Sequence, residues 1–155
     1  MALQVGINSY VTLSEAEEYF AGKLFCEEWE NADSYTKEKA LITATKRINR
    51  LPFIGKKADP AQLLEFPREF AWTRQATFGF TQEEEISPEV KAATCEEALA
   101  LLKFGNNART NAQEQNVVRV SFGDVSEEYR ASLKLLSREA LELLKPYIAG
   151  AVPIW

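Results

Sequence analysis

The sequence predicts a mainly α protein, a small bundle of about four helices with a short β-hairpin and extended terminal arms. Three observations carry that expectation. Apolar residues recur at three- and four-residue steps along four stretches, the spacing that gives a helix one buried face. A single stretch, Val117 to Ser126, has the apolar content and Gly-Asp turn of a hairpin. Apolar residues make up 46% of the chain and aromatic residues 11%, enough for a real core in one domain spanning residues 1–155.

Residues 1–11 read as an extended arm. Thr12 and Glu15 then form a T-x-x-E capping box, and Leu13, Ala16, Phe20 and Leu24 recur on one face of a first helix. Trp29 falls in a polar bridge ending at Asn31-Ala32-Asp33. The second helix is expected from about Ser34 to Arg50, with Leu41, Ala44, Ile48 and Leu51 as its buried stripe. At about 100° per residue, Lys39, Lys46 and Arg50 line up on nearly the opposite side. Pro52 closes this helix, and a loop with Gly55, Lys56, Lys57 and Asp59-Pro60 follows.

Residues 61–86 are the least regular. Leu63, Leu64, Phe66, Phe70, Trp72, Phe78 and Phe80 stand among prolines, arginines and Glu83-Glu84-Glu85, a pattern read as a loop with short helical pieces. The third helix is the clearest, capped by Ser87 with Pro88 in its first position, where the missing N–H costs nothing. It is apolar over most of its circumference from Val90 to Phe104, as a central helix would be, and Gly105 ends it. After a polar stretch, Val117 to Phe122 reads as a strand turning at Gly123-Asp124. A final helix starts near Ser137, with Leu141, Leu144 and Ile148 on one face and Pro146 ending or kinking it. The segment Gly150 to Trp155 is apolar and not helical, which suits Val152, Ile154 and Trp155 to docking on a partner surface, the alternative being that Trp155 folds back onto its own domain.

Composition argues against catalysis. Histidine is absent, which removes the usual general base near neutral pH and the commonest metal ligand. The two cysteines, Cys26 and Cys95, are far apart and outside any C-x-x-C pair, so two buried thiols are expected. There is no glycine-rich phosphate cradle. The expectation is a non-enzyme without cofactor or metal. With no signal-peptide pattern and no apolar run long enough to cross a membrane, it is expected in the cytoplasm and off the membrane.

The net charge of −5 hides a segregation. Residues 1–33 hold seven acids and one base, and residues 34–58 hold seven bases and one acid. Residues 59–85 are again acidic, with six acids and two bases. Such blocks either pair within one molecule or create an acidic and a basic side through which copies meet head to tail. The candidate basic stripe is Lys39, Lys46, Arg50, Lys56 and Lys57, serving a subunit interface or nucleic acid.

Several ordered motifs resemble a known family. They are Asn8-Ser9-Tyr10-Val11-Thr12-Leu13-Ser14-Glu15-Ala16, then Ala40-Leu41-Ile42, then Gln62-Leu63-Leu64-Glu65-Phe66-Pro67-Arg68. Pro88 through Ala98, the Gly123-Asp124-Val125-Ser126 turn with Tyr129, and Leu136-Ser137 through Tyr147 complete the series. The set is similar to the head–tail connector adaptor (head completion) proteins of tailed bacteriophages, a family also described as putative DnaT-like single-stranded-DNA-binding proteins. The chain departs from that pattern in a longer segment from Glu69 to Ile86 and in its Val-Pro-Ile-Trp end.

The resemblance implies a structural subunit, made in the host cytoplasm, in a ring between the portal protein and the next connector, stopper or tail protein. The ring would be a homo-oligomer, commonly of twelve copies, through which double-stranded DNA passes without specific binding. The alternative is a single-stranded-DNA-binding module. Lys39, Lys46, Arg50, Lys56 and Lys57 would then track the backbone, and Trp72, Arg74, Phe78 and Phe80 would stack bases.

Overall fold

A computed structural model describes residues 2–70, 81–82, 85–105, 119–122, 125–128 and 135–148. The architecture is mainly α, as the sequence predicts. Helices α1 (Leu13–Ala21), α2 (Glu27–Glu30), α3 (Ser34–Asn49), α4 (Pro88–Phe104) and α5 (Arg138–Leu144) are joined by a short 3-10 turn, Lys145–Tyr147, and by five short strands.

The helix starts follow from local chemistry. Thr12 accepts from the Glu15 N–H while Glu15 reaches back to the Thr12 N–H, so the capping box is complete. Asp33 caps α3 through the Thr36 N–H, and Ser87 and Ser137 cap α4 and α5 in the same way. Each side chain satisfies a backbone donor that the helix cannot.

Two apolar clusters form the core. One gathers Tyr10, Ile48, Leu51, Leu64, Phe66, Val90, Ala93, Leu135, Ala140, Leu144 and Ile148. The other gathers Val11, Ala16, Phe20, Cys26, Trp29, Ala40, Leu41, Ala44, Cys95, Ala98 and Leu99. Helices α3 and α4 contribute to both. The late residue Ile48 meets the early residue Val90, and the early residue Ala40 shares a cluster with the late residue Leu99. The two helices therefore run antiparallel, and α4, whose many alanines allow close approach, stands between the clusters.

Four local expectations need correction. The N-terminal arm is not simply extended: it turns at Gly6, whose φ of +83° suits glycine, and Val5 bridges Ser9. Asn8 holds this turn by accepting from the Gln4 N–H at 2.7 Å and donating to the Ala2 carbonyl at 2.9 Å. Helix α1 stops at Ala21, and Leu24 lies beyond it, 76% exposed rather than on the apolar face. Trp29 is no bridge residue but the heart of the second cluster, 1% exposed and stacked on Phe20 with ring centroids 4.4 Å apart.

The fourth correction concerns the region after Pro60. Among its described residues up to Phe70 there are no helical pieces. Strands β1 (Lys56–Lys57), β2 (Arg68–Phe70) and β3 (Thr81–Gln82) form an antiparallel sheet in that order, with Lys56 opposite Glu69 and Glu69 opposite Gln82. Leu64 and Phe66 are buried, whereas Leu63 is exposed.

The hairpin is present as β4 (Arg119–Phe122) and β5 (Val125–Glu128), with Phe122 opposite Val125. Helix α5 ends where Pro146 begins to limit the backbone, and the chain is then tied down: the Ile54 N–H donates to the Tyr147 carbonyl at 2.8 Å, and Phe53 bridges Ile148. Val152, Ile154 and Trp155 lie outside the described residues.

Candidate nucleic-acid interface

The basic block of residues 34–58 divides into two kinds of cation. Lys37 pairs with Glu17 at 2.7 Å and Arg47 approaches Glu97 at 3.7 Å. Lys56 pairs with Glu69 at 3.8 Å and Lys57 with Glu65 at 3.6 Å. Lys37, Lys56 and Lys57 thus meet carboxylates within the molecule, and Arg47 lies beside the buried Glu97. Lys39, Lys46 and Arg50 are exposed on α3 and make no ion pair with a described residue. The predicted stripe therefore survives as its three helical members, while its two loop members are spoken for.

Tyr35 joins this stripe, and the sequence reading passed it over. It is 62% exposed, and the Lys39 ammonium sits 4.2 Å from its ring centroid. The four-residue step from Tyr35 to Lys39 was the available signal, since such residues are neighbours on a helix. At about 100° per residue, Tyr35, Lys39, Lys46 and Arg50 fall within an arc of about 60° and span about 22 Å of helix. An aromatic ring followed by three cations without an ion pair to any described residue is the arrangement that tracks a single strand, with a base on the ring and phosphates on the cations.

A shallow groove of about 250 Å³ runs beside the stripe between α3 and α4. Its floor is Ala40, Leu101 and Leu102, and its rim is Thr36, Lys39 and Thr43. A second groove of about 290 Å³ lies between α1 and α4, where Glu15 and Lys91 close on each other at 2.7 Å. Cys95 lines it, and burial pushes its thiol up to about 12. Burial also raises Cys26, with the Glu30 carboxylate adding to the effect. Neither is a thiolate near neutral pH.

The motif residues that carry the family resemblance have structural work. Arg68 is 4% exposed and donates from Nε to the Ile54 carbonyl at 2.8 Å and from Nη1 to the Glu65 carboxylate at 3.1 Å. Its guanidinium lies over Phe53 and Phe66. Gln62 donates to the Leu64 and Pro67 carbonyls, each at 2.8 Å. Tyr10 donates its hydroxyl to Asn49, and burial raises its pKa. The Glu65 N–H donates to Asn49 Oδ1 at 3.3 Å, which ties this segment to the end of α3, and together these contacts give the motif residues a structural role.

The most unusual charged group is Glu97, which is fully buried on α4. Its carboxylate accepts from the Leu136 N–H at 2.6 and 3.0 Å and from the Ser137 N–H at 3.4 Å, at the threshold of α5. Burial raises its pKa to about 7 despite those bonds and the nearby Arg47 charge. Its neighbour Glu96 is also buried, accepting from the Tyr19 hydroxyl and pairing with Lys23 at 3.1 Å. Sequence reasoning took this helix as simply apolar and missed both.

Trp72, Arg74, Phe78 and Phe80, the aromatic–basic set expected to stack bases, lie outside the described residues. A family model described as "Putative DnaT-like ssDNA binding protein" matches residues 2–153. No curated protein and no solved structure matches the chain.

Proposed function

Because the chain belongs to the family described as putative DnaT-like ssDNA binding protein, we propose that its α3 face binds single-stranded DNA weakly and without sequence preference. The observation that carries this reading is the line of Tyr35, Lys39, Lys46 and Arg50, exposed and unmatched by carboxylates among the described residues. Bulk electrostatics oppose it, since the net charge is −5. Affinity therefore belongs in the non-specific range, with dissociation constants on the order of 10⁻⁴–10⁻⁶ M at physiological salt.

Three phosphate contacts on a single strand give a slope of about −2 in log affinity against log salt. Fluorescence anisotropy with a labelled oligothymidylate over a salt series measures that slope. Reversing two charges, with Lys46→Glu and Arg50→Glu together, abolishes binding if the stripe is the contact. Unchanged binding by the double variant, or a slope near zero, refutes the reading.

A second reading, the head–tail adaptor subunit of a tailed bacteriophage, draws support from the opposite charge. Glu27, Glu28 and Glu30 are exposed around α2, next to exposed Leu24 and Phe25. This acidic and apolar knuckle suits a basic stripe on another copy, as a head-to-tail ring requires. In that reading Val152, Ile154 and Trp155 dock on the portal or on a neighbouring subunit. Light scattering with and without the cognate portal, followed by electron microscopy, tests it. A stable two-fold dimer and no portal complex defeats the adaptor.

A further inference from the structure

We propose that the groove between α3 and α4 receives one unstacked base of the bound strand, and that this is how the protein prefers single-stranded over duplex DNA. The inference rests on the single-strand reading of the α3 face and extends it to a second contact of different chemistry.

The three cations alone offer no reason for such a preference, because a duplex presents phosphates too. The groove does. It opens directly beside the stripe, and Lys39 belongs to both. Its floor is apolar and its rim carries the hydroxyls of Thr36 and Thr43. At about 250 Å³ it is smaller than the pockets that bury drug-sized ligands, and a planar base is the part of a nucleic acid that fits such a site. A base in a duplex is stacked and paired and does not turn into a side groove without a cost of a few kcal/mol. Charge complementarity selects the occupant: a phosphate held by Lys39 places the adjoining nucleoside at the groove mouth. Tyr35 provides the second base contact. Lys39 covers one face of its ring at 4.2 Å, which leaves the other face for stacking.

Apart from Lys39, which is assigned to a phosphate, no charged or amide side chain lines the groove among the described residues, so the preference is for any unpaired base, not for a sequence. Two measurements test the proposal on the intact chain. In the first, anisotropy compares oligothymidylate with an oligomer of the same length made wholly of abasic sites, which keeps the phosphates and removes the bases. Tighter binding of the thymidylate by about tenfold is expected, and equal binding overturns the groove while leaving the phosphate stripe standing. In the second, Thr43→Leu fills the groove at an exposed position without altering charge. Affinity for thymidylate should fall toward the abasic level, with Tyr35 keeping its own share of the preference, while the salt slope stays the same. Retention of full thymidylate affinity by a folded Thr43→Leu protein also overturns the proposal. If wild-type protein binds neither oligomer, the single-strand reading itself is refuted, and the groove inference with it.

Discussion

Replacing Glu97 by glutamine should change how stability depends on pH. Burial lifts this carboxyl from an ordinary value of 4.5 to about 7. The folded state therefore holds a proton that the unfolded chain has already released, and ionising the group works against the fold. The favourable contribution of Glu97 is fully present below about pH 4.5 and is lost as pH rises through 7. A difference of about 2.5 pKa units corresponds to about 3 kcal/mol. Glutamine keeps the shape and an acceptor oxygen for the Leu136 N–H but has no charge to ionise. All other titrating groups are common to the two proteins, so their difference isolates this site. Urea unfolding at half-unit steps from pH 4 to pH 8 should show wild-type stability declining relative to Glu97→Gln by about 3 kcal/mol. Thermal melts should diverge by about 6–12 °C in the same sense. Parallel stability curves, or a wild type that gains on the variant as pH rises, would falsify the assignment of Glu97 as a buried, proton-holding carboxyl.

Two further substitutions test the packing. Trp29→Ala removes a ring that is stacked on Phe20 and approached by the Lys37 ammonium at 5.3 Å, and it should cost about 3–5 kcal/mol in chemical denaturation; a loss under 1 kcal/mol would mean the ring is not part of the core. Arg68→Ala strips one of two cationic partners from Glu65 and the donor from the Ile54 carbonyl, with an expected loss of about 2 kcal/mol. Its effect on oligonucleotide affinity at a temperature where it stays folded should be negligible, since Arg68 is buried, and a large drop there would assign it to binding instead.

The parts of this fold that were legible in the sequence are those decided within one turn of chain. The Thr12–Glu15 box, Ser87-Pro88 and the stripe Leu41, Ala44, Ile48 and Leu51 announce helices because capping and periodicity are local. The sheet made by Lys56-Lys57, Arg68–Phe70 and Thr81-Gln82 was not legible, because two- and three-residue strands have too little pattern and exist through pairing across the loop. Trp29 sits among acids in the sequence, and its burial depends on Phe20 and Leu41 arriving from elsewhere. Glu97 looks like one more surface acid until Leu136 and Ser137 bring their N–H groups to it from 39 and 40 residues away. The candidate site shows the same division. Helical spacing placed Lys39, Lys46 and Arg50 on one face, but only the three-dimensional arrangement separates them from Lys56 and Lys57, whose charges are matched by Glu69 and Glu65.

The position of α4 between the two clusters bears on how the molecule comes apart. Val90 and Ala93 close one cluster while Cys95, Ala98 and Leu99 close the other, so a single continuous rod of backbone is wall to both. Neither half can melt while the other keeps its wall intact, because fraying α4 from either end exposes apolar surface that the remaining turns hold in register. Heat should meet one indivisible calorimetric unit across these elements, with calorimetric and van't Hoff enthalpies in agreement. The amides in the middle of α4 should be the last to exchange with solvent, opening only when the whole assembly of α1, α3, α4 and α5 opens.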